Sequence, residues 1–443
     1  MTYYADVYQN SAFRSDPPRE WRDQFARFVV TSRGSISSRT PTGSRRGRRS
    51  VGAAMATTVM VVAPLHLLGA MAVLVRDDLE FDTASLGLTF AMFNVGGIVA
   101  SIPGGNLAER LGPRRSMITA GALTAAAALS IALLARSWWH LSAAMAVAGM
   151  ANGMGQPAAS LVIARGVRSH RQGLAFGMKQ AAVPLAGILS GVSVPVIGLT
   201  IGWRWAYAGI ALGVVAIAAL APVASQPTDP ASTSTEPTSA PPGSPSTPIR
   251  RERGARVAPV MLVAFAFGSA SATTIPAFLA ETASDAGYSR SFAGLAVASG
   301  STIGLISRLG VGVFADRRQG GHLKVVAAML AIGTLGSIGL AYGHTSNALF
   351  LIGSAIAYGA GWGWPGLYLY AIVRLHPDRP GAASGQAQAG GTVGALLGPL
   401  AFGWLVTVTD FRVGWLVMAA TGATASALIL VSRRRLLARI AAG

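Results

Sequence analysis

The chain contains 36 basic residues, and only two of them are lysines, Lys179 and Lys324. Lys179 stands inside the apolar stretch Arg171-Gln-Gly-Leu-Ala-Phe-Gly-Met-Lys-Gln-Ala-Ala-Val-Pro184. A cation at the centre of a helix in hydrocarbon costs about 2.5–3.5 kcal/mol, so something must compensate it. Two readings compete. The ammonium can be the counter-charge of an anionic solute, or it can snorkel to an interface roughly 9 Å away, the rise from Gly173 at about 1.5 Å per residue. Gln180 is its neighbour, and Asn94, Asn152, Gln156 and Ser301 are further polar side chains set in apolar runs. Such groups bond to an adjacent helix or line a cavity. His66 follows Pro64 in an apolar run, and a side chain that titrates near neutrality suits a coupling proton; a structural hydrogen bond is the alternative. Trp362 and Trp364, with Tyr358, Tyr368 and Tyr370, make one segment aromatic near its middle. They either pack a core or form a wall that stacks on a planar or apolar group. Arg308, two turns before Asp316, reads as structural or gating, with substrate contact as its second role.

Other chemistry is missing. There is no cysteine, hence no disulfide, thiolate metal site or thiol redox reaction. No phosphate-binding loop, metal cluster or nucleophile constellation occurs, so no catalytic residue, metal or cofactor is expected and the chain does not read as an enzyme. The 17 acidic residues all fall in the N-terminal tail, a loop or a helix end. Without a carboxylate deep in the apolar segments, an organic-cation exchanger built on buried acids is disfavoured and an anionic or neutral substrate is favoured.

The elements that must position these groups are membrane helices. The composition is 51% hydrophobic and 12% charged, against roughly 25% charged in soluble domains. Apolar runs long enough to cross a core of about 30 Å recur near 51–75, 84–105, 116–135, 139–164, 173–200 and 204–224. Six more lie near 257–280, 291–313, 323–343, 346–372, 382–408 and 413–432. The fold class is all-α, with twelve transmembrane helices in two six-helix bundles. Residues 1–50 form a basic tail too polar to bury a core; 51–224 and 257–443 are the bundles, the second ending in a short basic tail; 225–256 is a Pro/Ser/Thr-rich linker. Arginines concentrate in the tail, in alternate loops and at the C-terminus, while the intervening loops are acidic or poor in basic residues. By the positive-inside rule both termini and the linker are cytoplasmic in a multi-pass plasma (inner) membrane protein. The net charge of +19 is thus a topology signal; with no aromatic residues among the tail arginines, nucleic acid is not an expected partner.

The two halves repeat. Gly105-Asn-Leu-Ala-Glu109-Arg110 matches Gly312-Val-Phe-Ala-Asp316-Arg317, and Gly153-x-Gly155-x-Pro157 matches Gly361-x-Gly363-x-Pro365. The Lys179 stretch matches Arg379-x-Gly381-x-Ala383-x-Gly385-x-x-Gln388-Ala389, pairing Gln180 with Gln388 and Lys179 with Ala387. Six helices per unit place both copies in the same orientation, with a substrate site between them near the midplane. Symmetric positions then belong to the scaffold or a shared cavity lining, and Lys179, the mismatch, becomes the first candidate for substrate recognition.

Gly105-Asn-Leu-Ala-Glu-Arg-Leu-Gly-Pro-Arg-Arg115 resembles the loop signature between helices 2 and 3 of the major facilitator superfamily, echoed at Gly312–Arg317 between helices 8 and 9. The resemblance covers residues 51–432. It implies a central cavity, rocker-switch alternating access and a cytoplasmic charge latch made by Glu109, Arg110, Asp316 and Arg317 in the outward-facing state. Glu109 replaces the usual Asp, Pro113 takes a commonly basic position, and the intramembrane arginine of many proton-driven members is missing from helix 4, where Arg165 lies at the end. The Gly-Met-Lys-Gln-Ala-Ala-Val-Pro run is loosely similar to helix 5 of cyanate and carboxylate permeases. The expected protein is a monomeric secondary transporter in a lipid bilayer, moving a small organic anion or neutral solute with a coupling proton. A hydrophobic-compound efflux pump and a non-transporting sensor are the rivals.

Overall fold

The computed structural model describes residues 42–167, 169–220, 257–317, 321–376 and 380–442. Most of the expected tail and linker therefore lies outside the described residues. What is described is helical throughout its length. In chain order the helices are α1 (Thr42–Ala70, resuming at Ala72–Leu79), α2 (Thr83–Leu111), α3 (Pro113–Leu134), α4 (Trp138–Gly166), α5 (Ser169–Ser193, then a π-helical turn Val194–Gly198) and α6 (Trp203–Leu220). The second set is α7 (Pro259–Asp285), α8 (Arg290–Arg317), α9 (His322–Ala341), α10 (Asn347–Ile356, a π-helical turn Ala357–Gly361, then Pro365–Leu375), α11 (Pro380–Val408) and α12 (Phe411–Ala442). Nine of these are each long and apolar enough to cross a membrane. Of the other three, α4, α6 and α10, helix α10 is interrupted and α4 is diluted by Asn152, Gln156 and other polar residues.

Several helices run beyond the apolar stretches read from the sequence, α1 at both ends. Helix α1 starts at Thr42, inside the expected tail, because arginine is itself a good helix former. At its other end α1 runs on to Leu79, so Arg76 and Asp77 are helical rather than loop residues. The short junctions are set by local chemistry. Asp82 caps α2 by accepting the Ser85 backbone N–H at 2.8 Å, and Glu80, with φ 49°, ends α1. Gly112, at φ 85°, supplies the backbone conformation a side chain would disfavour, and Pro113 opens α3 in the first-turn position that tolerates a missing N–H.

In lipid, helices are held by close packing rather than by the hydrophobic effect. Helices α2 and α4 touch through backbone: a Cβ on Gly149 would lie 1.9 Å from the Phe93 carbonyl oxygen, and one on Gly96 2.0 Å from that of Ala146. The two sets of six helices then meet along α1–α7, α2–α11 and α5–α8. These contacts are unevenly distributed. Gly69 packs on Pro276, Gly87 on Pro399 and Gly403, and Gly191 on Gly294 and Ala298. All lie toward the ends opposite the termini, here called the distal end. The apolar core there spans both halves, from Leu68 and Phe90 to Phe278, Phe402 and Trp415. Toward the terminal end the cores separate, one around Phe265, Trp364 and Tyr368 in the second half and two smaller ones in the first. A Cβ on Gly105, Gly177, Gly310, Gly312 or Gly366, all nearer the terminal end, would meet nothing within 4 Å. The halves are closed at the distal end and parted at the terminal end.

Candidate substrate site between the two halves

Helix α10 breaks where α8 faces it, and the break builds the site. Pro365 has no N–H to give the Gly361 carbonyl, and its ring crowds that oxygen. The Trp364 indole takes the released acceptor, Nε1 to O 2.9 Å. Arg308 of α8 takes the next free one, donating from Nη2 to the Trp362 carbonyl at 3.1 Å. The same guanidinium lies 4.2 Å above the Trp362 ring, a cation–π contact. Two glycines of α8 make room for this aromatic face: a Cβ on Gly300 would sit 2.5 Å from the Tyr358 ring, and one on Gly304 2.7 Å from the Trp362 ring.

From the other half, His66 of α1 brings its ring to 6.1 Å from that of Trp362. Its Nδ1 is 3.0 Å from the Val62 carbonyl of its own helix. Gly187 of α5 completes the junction against Ser301 and His66. Four helices, two from each half, thus converge on Trp362. Within this cluster Arg308 Nε is buried with no hydrogen-bond partner, and the buried Ser301 and Tyr358 hydroxyls face each other with no third group bonded to them. Buried polar atoms are rarely left so, and together Nε and the hydroxyl pair offer two donors to an acceptor-rich guest.

Lys179 lies elsewhere. It is buried, and its Nζ donates to Ser160 Oγ at 2.9 Å and to the Gln156 carbonyl at 3.1 Å, both on α4. It neither snorkels nor, in this conformation, projects free into the space between the halves. Asn152 joins the same row, accepting from Gln156 Nε2 at 3.2 Å. The fold thus assembles Asn152, Gln156 and Lys179 into one polar ladder, together with Ser160, which sequence reasoning passed over. The signal was available, since Asn152, Gln156 and Ser160 recur every four residues on one face.

The remaining candidates scatter. Asn94 Nδ2 donates to Phe90 and, across the halves, to the Ala395 carbonyl at 3.2 Å. Gln180 and Gln388 are exposed. Trp364 is fully buried within the second half, edge-on to Phe265 and Tyr368. Glu109 and Arg110 are exposed and make no ion pair among the described residues; the side chains of Asp316 and Arg317 lie outside them. The placement of one acidic residue needs correction. Glu281, assigned from sequence to a loop, lies one turn inside α7 at 2% exposure and pairs with Arg76 at 2.9 Å. It escaped notice because α1 and α7 run further than their apolar stretches.

The comparisons with known proteins agree with this geometry. The family description "Major Facilitator Superfamily" matches residues 50–389 and 260–441. No curated protein sequence matches the chain. Among solved structures, the nucleoside transporter NupG is similar with a TM-score of 0.64 at 15% identity, covering 87% of this chain and 98% of that one. A D-xylose-proton symporter is similar with a TM-score of 0.67 at 15% identity, covering 86% and 96%. With twelve helices in two halves and a family match over most of its length, the chain belongs to the Major Facilitator Superfamily and is an integral, multi-pass membrane protein.

Proposed function

We propose that the protein is a secondary transporter that moves a small organic anion by alternating access, binding it where α1, α5, α8 and α10 meet. The observation that carries this reading is Arg308, a guanidinium at the junction of the halves whose buried Nε has no partner. No carboxylate faces it among the ion pairs of the described residues, so a ligand can supply the missing charge. A carboxylate suits the planar fork of arginine better than a neutral group does. The Ser301 and Tyr358 hydroxyl pair adds a donor, and Trp362 adds a face for the rest of the molecule. Lys179 is the second cation of the proposal, available once its bonds to Ser160 and Gln156 open. Gln180 and Gln388 then line the wider opening between the halves.

The arginine-rich loops support a cytoplasmic position for both termini in the plasma membrane. With that sidedness the parted terminal end faces the cytoplasm, and the described conformation is inward-open. A second reading has its own observation: Trp362 and Tyr358 stand edge to face at 5.4 Å, a surface that also suits an uncharged hydrophobic compound and hence efflux.

A thermal-shift screen of the purified protein separates the two. The anion reading expects stabilisation by small mono- and dicarboxylates and none by their methyl esters or amides. Stabilisation that follows ligand hydrophobicity and ignores charge would favour the efflux reading instead.

A further inference from the structure

The distal closure carries a charge pair that the transport site does not use. Arg76, on the last turn of α1, reaches across the halves to Glu281 on α7, Nη1 to Oε2 2.9 Å. The same nitrogen donates to Thr83 Oγ1 at 2.8 Å. The Glu281 side chain is 1% exposed, and its second oxygen, Oε1, is buried without a partner. A neighbouring pair, Asp77 with Arg290 of α8, also joins the halves, but both of its side chains are about half exposed. Exposed pairs contribute little, whereas removing the charge of one buried partner is strongly destabilising. The Arg76–Glu281 pair is therefore the dominant ionic contact of the distal closure.

A surface cleft of about 520 Å³ reaches the Arg76 side of this pair from the distal side, lined by Arg76, Asp77, Glu80, Asp82, Thr83 and Thr407 among others. The charged groups around Glu281 are Arg76 and Asp77 on α1, Asp285 one turn further along α7, and Asp82 before α2. Arg290 opens α8, and His344 from the turn before α10, Asp410 from the loop before α12 and Arg412 from the first turn of α12 gather around Asp285. The acids of this set other than Glu281 are exposed. His66, the earlier candidate for a coupling proton, bonds to its own helix, and the charge that faces it from the opposite half is another cation, Arg308.

We propose that Glu281 is a proton-binding site loaded from the distal, outer side, and that its protonation releases Arg76 and lets the two halves part at that end. The proton adds to a carboxylate oxygen of Glu281. The group becomes neutral, Arg76 retains its charge and its bond to Thr83, and no other bond changes. Deprotonation restores the pair and closes the gate. The inference rests on the alternating-access reading but not on the anion.

The chain has no cysteine, so the gate can be probed with one introduced pair. Spin labels on Glu80→Cys and Ser289→Cys, in full-length protein in lipid nanodiscs, report the distance between α1 and α8 at this end. Labelling of both sites by an impermeant reagent from outside intact cells fixes the sidedness. With Glu281 present, acidification from pH 8 to pH 5 is expected to raise the long-distance population about tenfold. Glu281→Gln should hold the long distance at every pH, and Glu281→Asp should keep the pH response. A Glu281→Gln protein that stays closed throughout, or that opens with acid as the parent does, would overturn the proposal. If Glu281→Gln does not fold, an Asp variant without any pH response would overturn it equally. No substrate is added, so failure of the anion assignment leaves this result standing, and the reverse also holds.

Discussion

At matching levels of the two halves α4 presents Asn152, Gln156 and Ser160, where α10 presents Ala360, Trp364 and Tyr368, each 208 residues further on, the separation of Pro157 from Pro365. In the first half the row is a polar ladder that ends on Lys179. In the second it is an aromatic wall: Phe265 stacks on Tyr368 at 4.7 Å, Trp364 stands edge-on to both, and Ala387, the mate of Lys179, is fully buried in the same cluster. The helices that flank the site differ in the same sense. Where α2 and α4 touch backbone to backbone, α8 and α10 are held apart by the Trp362 and Tyr358 rings. Arg308 has Ser101 as its mate and Trp362 has Met154. The repeat thus sets the backbone of both halves, and chemistry appears where the repeat is broken. The first half uses its departure to bind two of its own helices together. The second uses its departure to bring an incompletely paired cation to the junction.

That contrast can be broken most forcefully by moving the lysine. Ala387→Lys places an ammonium at a fully buried position that has aromatic neighbours in place of a Ser160 and a Gln156 carbonyl. It should destabilise the protein by about 2.5–3.5 kcal/mol, read as a lowered melting temperature in detergent. Tolerance without loss would mean that the second half holds a hidden acceptor, and the contrast would fail. A smaller effect sharpens it from the other side. Ser160→Ala strips Lys179 of one of its two bonds and should cost about 1–3 kcal/mol. Lys179→Met removes charge and need together and should cost less than Ser160→Ala, as replacement of a buried charge by an apolar group often does. If the Met variant is the less stable of the two, the ladder is not what holds α4 to α5.

Much of this was legible in the sequence, and particular residues show where legibility stopped. Apolar run lengths and the Gly-x-x-x-acid-Arg repeats at Glu109 and Asp316 point to the twelve helices and the two-half plan, because membrane spans obey strict length and polarity limits. Asn152, Gln156 and Lys179 stood out as polar groups in apolar surroundings, and they do meet. Their sequence positions could not say that they meet each other, since which face of α5 turns to α4 is decided by packing. Arg308 was placed near a helix end and read as gating; its contact with Trp362 depends on the break at Gly361–Trp364, a tertiary feature that Pro365 only hints at. Glu281 was invisible for a different reason. An acid beside an apolar run reads as loop, and only the partner on another helix makes its burial possible.

The central claim, that the second half supplies the cation for an anionic substrate, is tested most directly by carboxylate flux into proteoliposomes for the parent, Arg308→Ala, Arg308→Lys and Lys179→Ala. The account predicts at least a tenfold loss in Arg308→Ala, about 1.4 kcal/mol or more of lost interaction. Arg308→Lys should recover part of it, because charge is kept and the planar fork is not, and Lys179→Ala should lose less than Arg308→Ala. Parental flux in Arg308→Ala, with loss confined to Lys179→Ala, would contradict the account and move the substrate cation to the polar ladder of the first half.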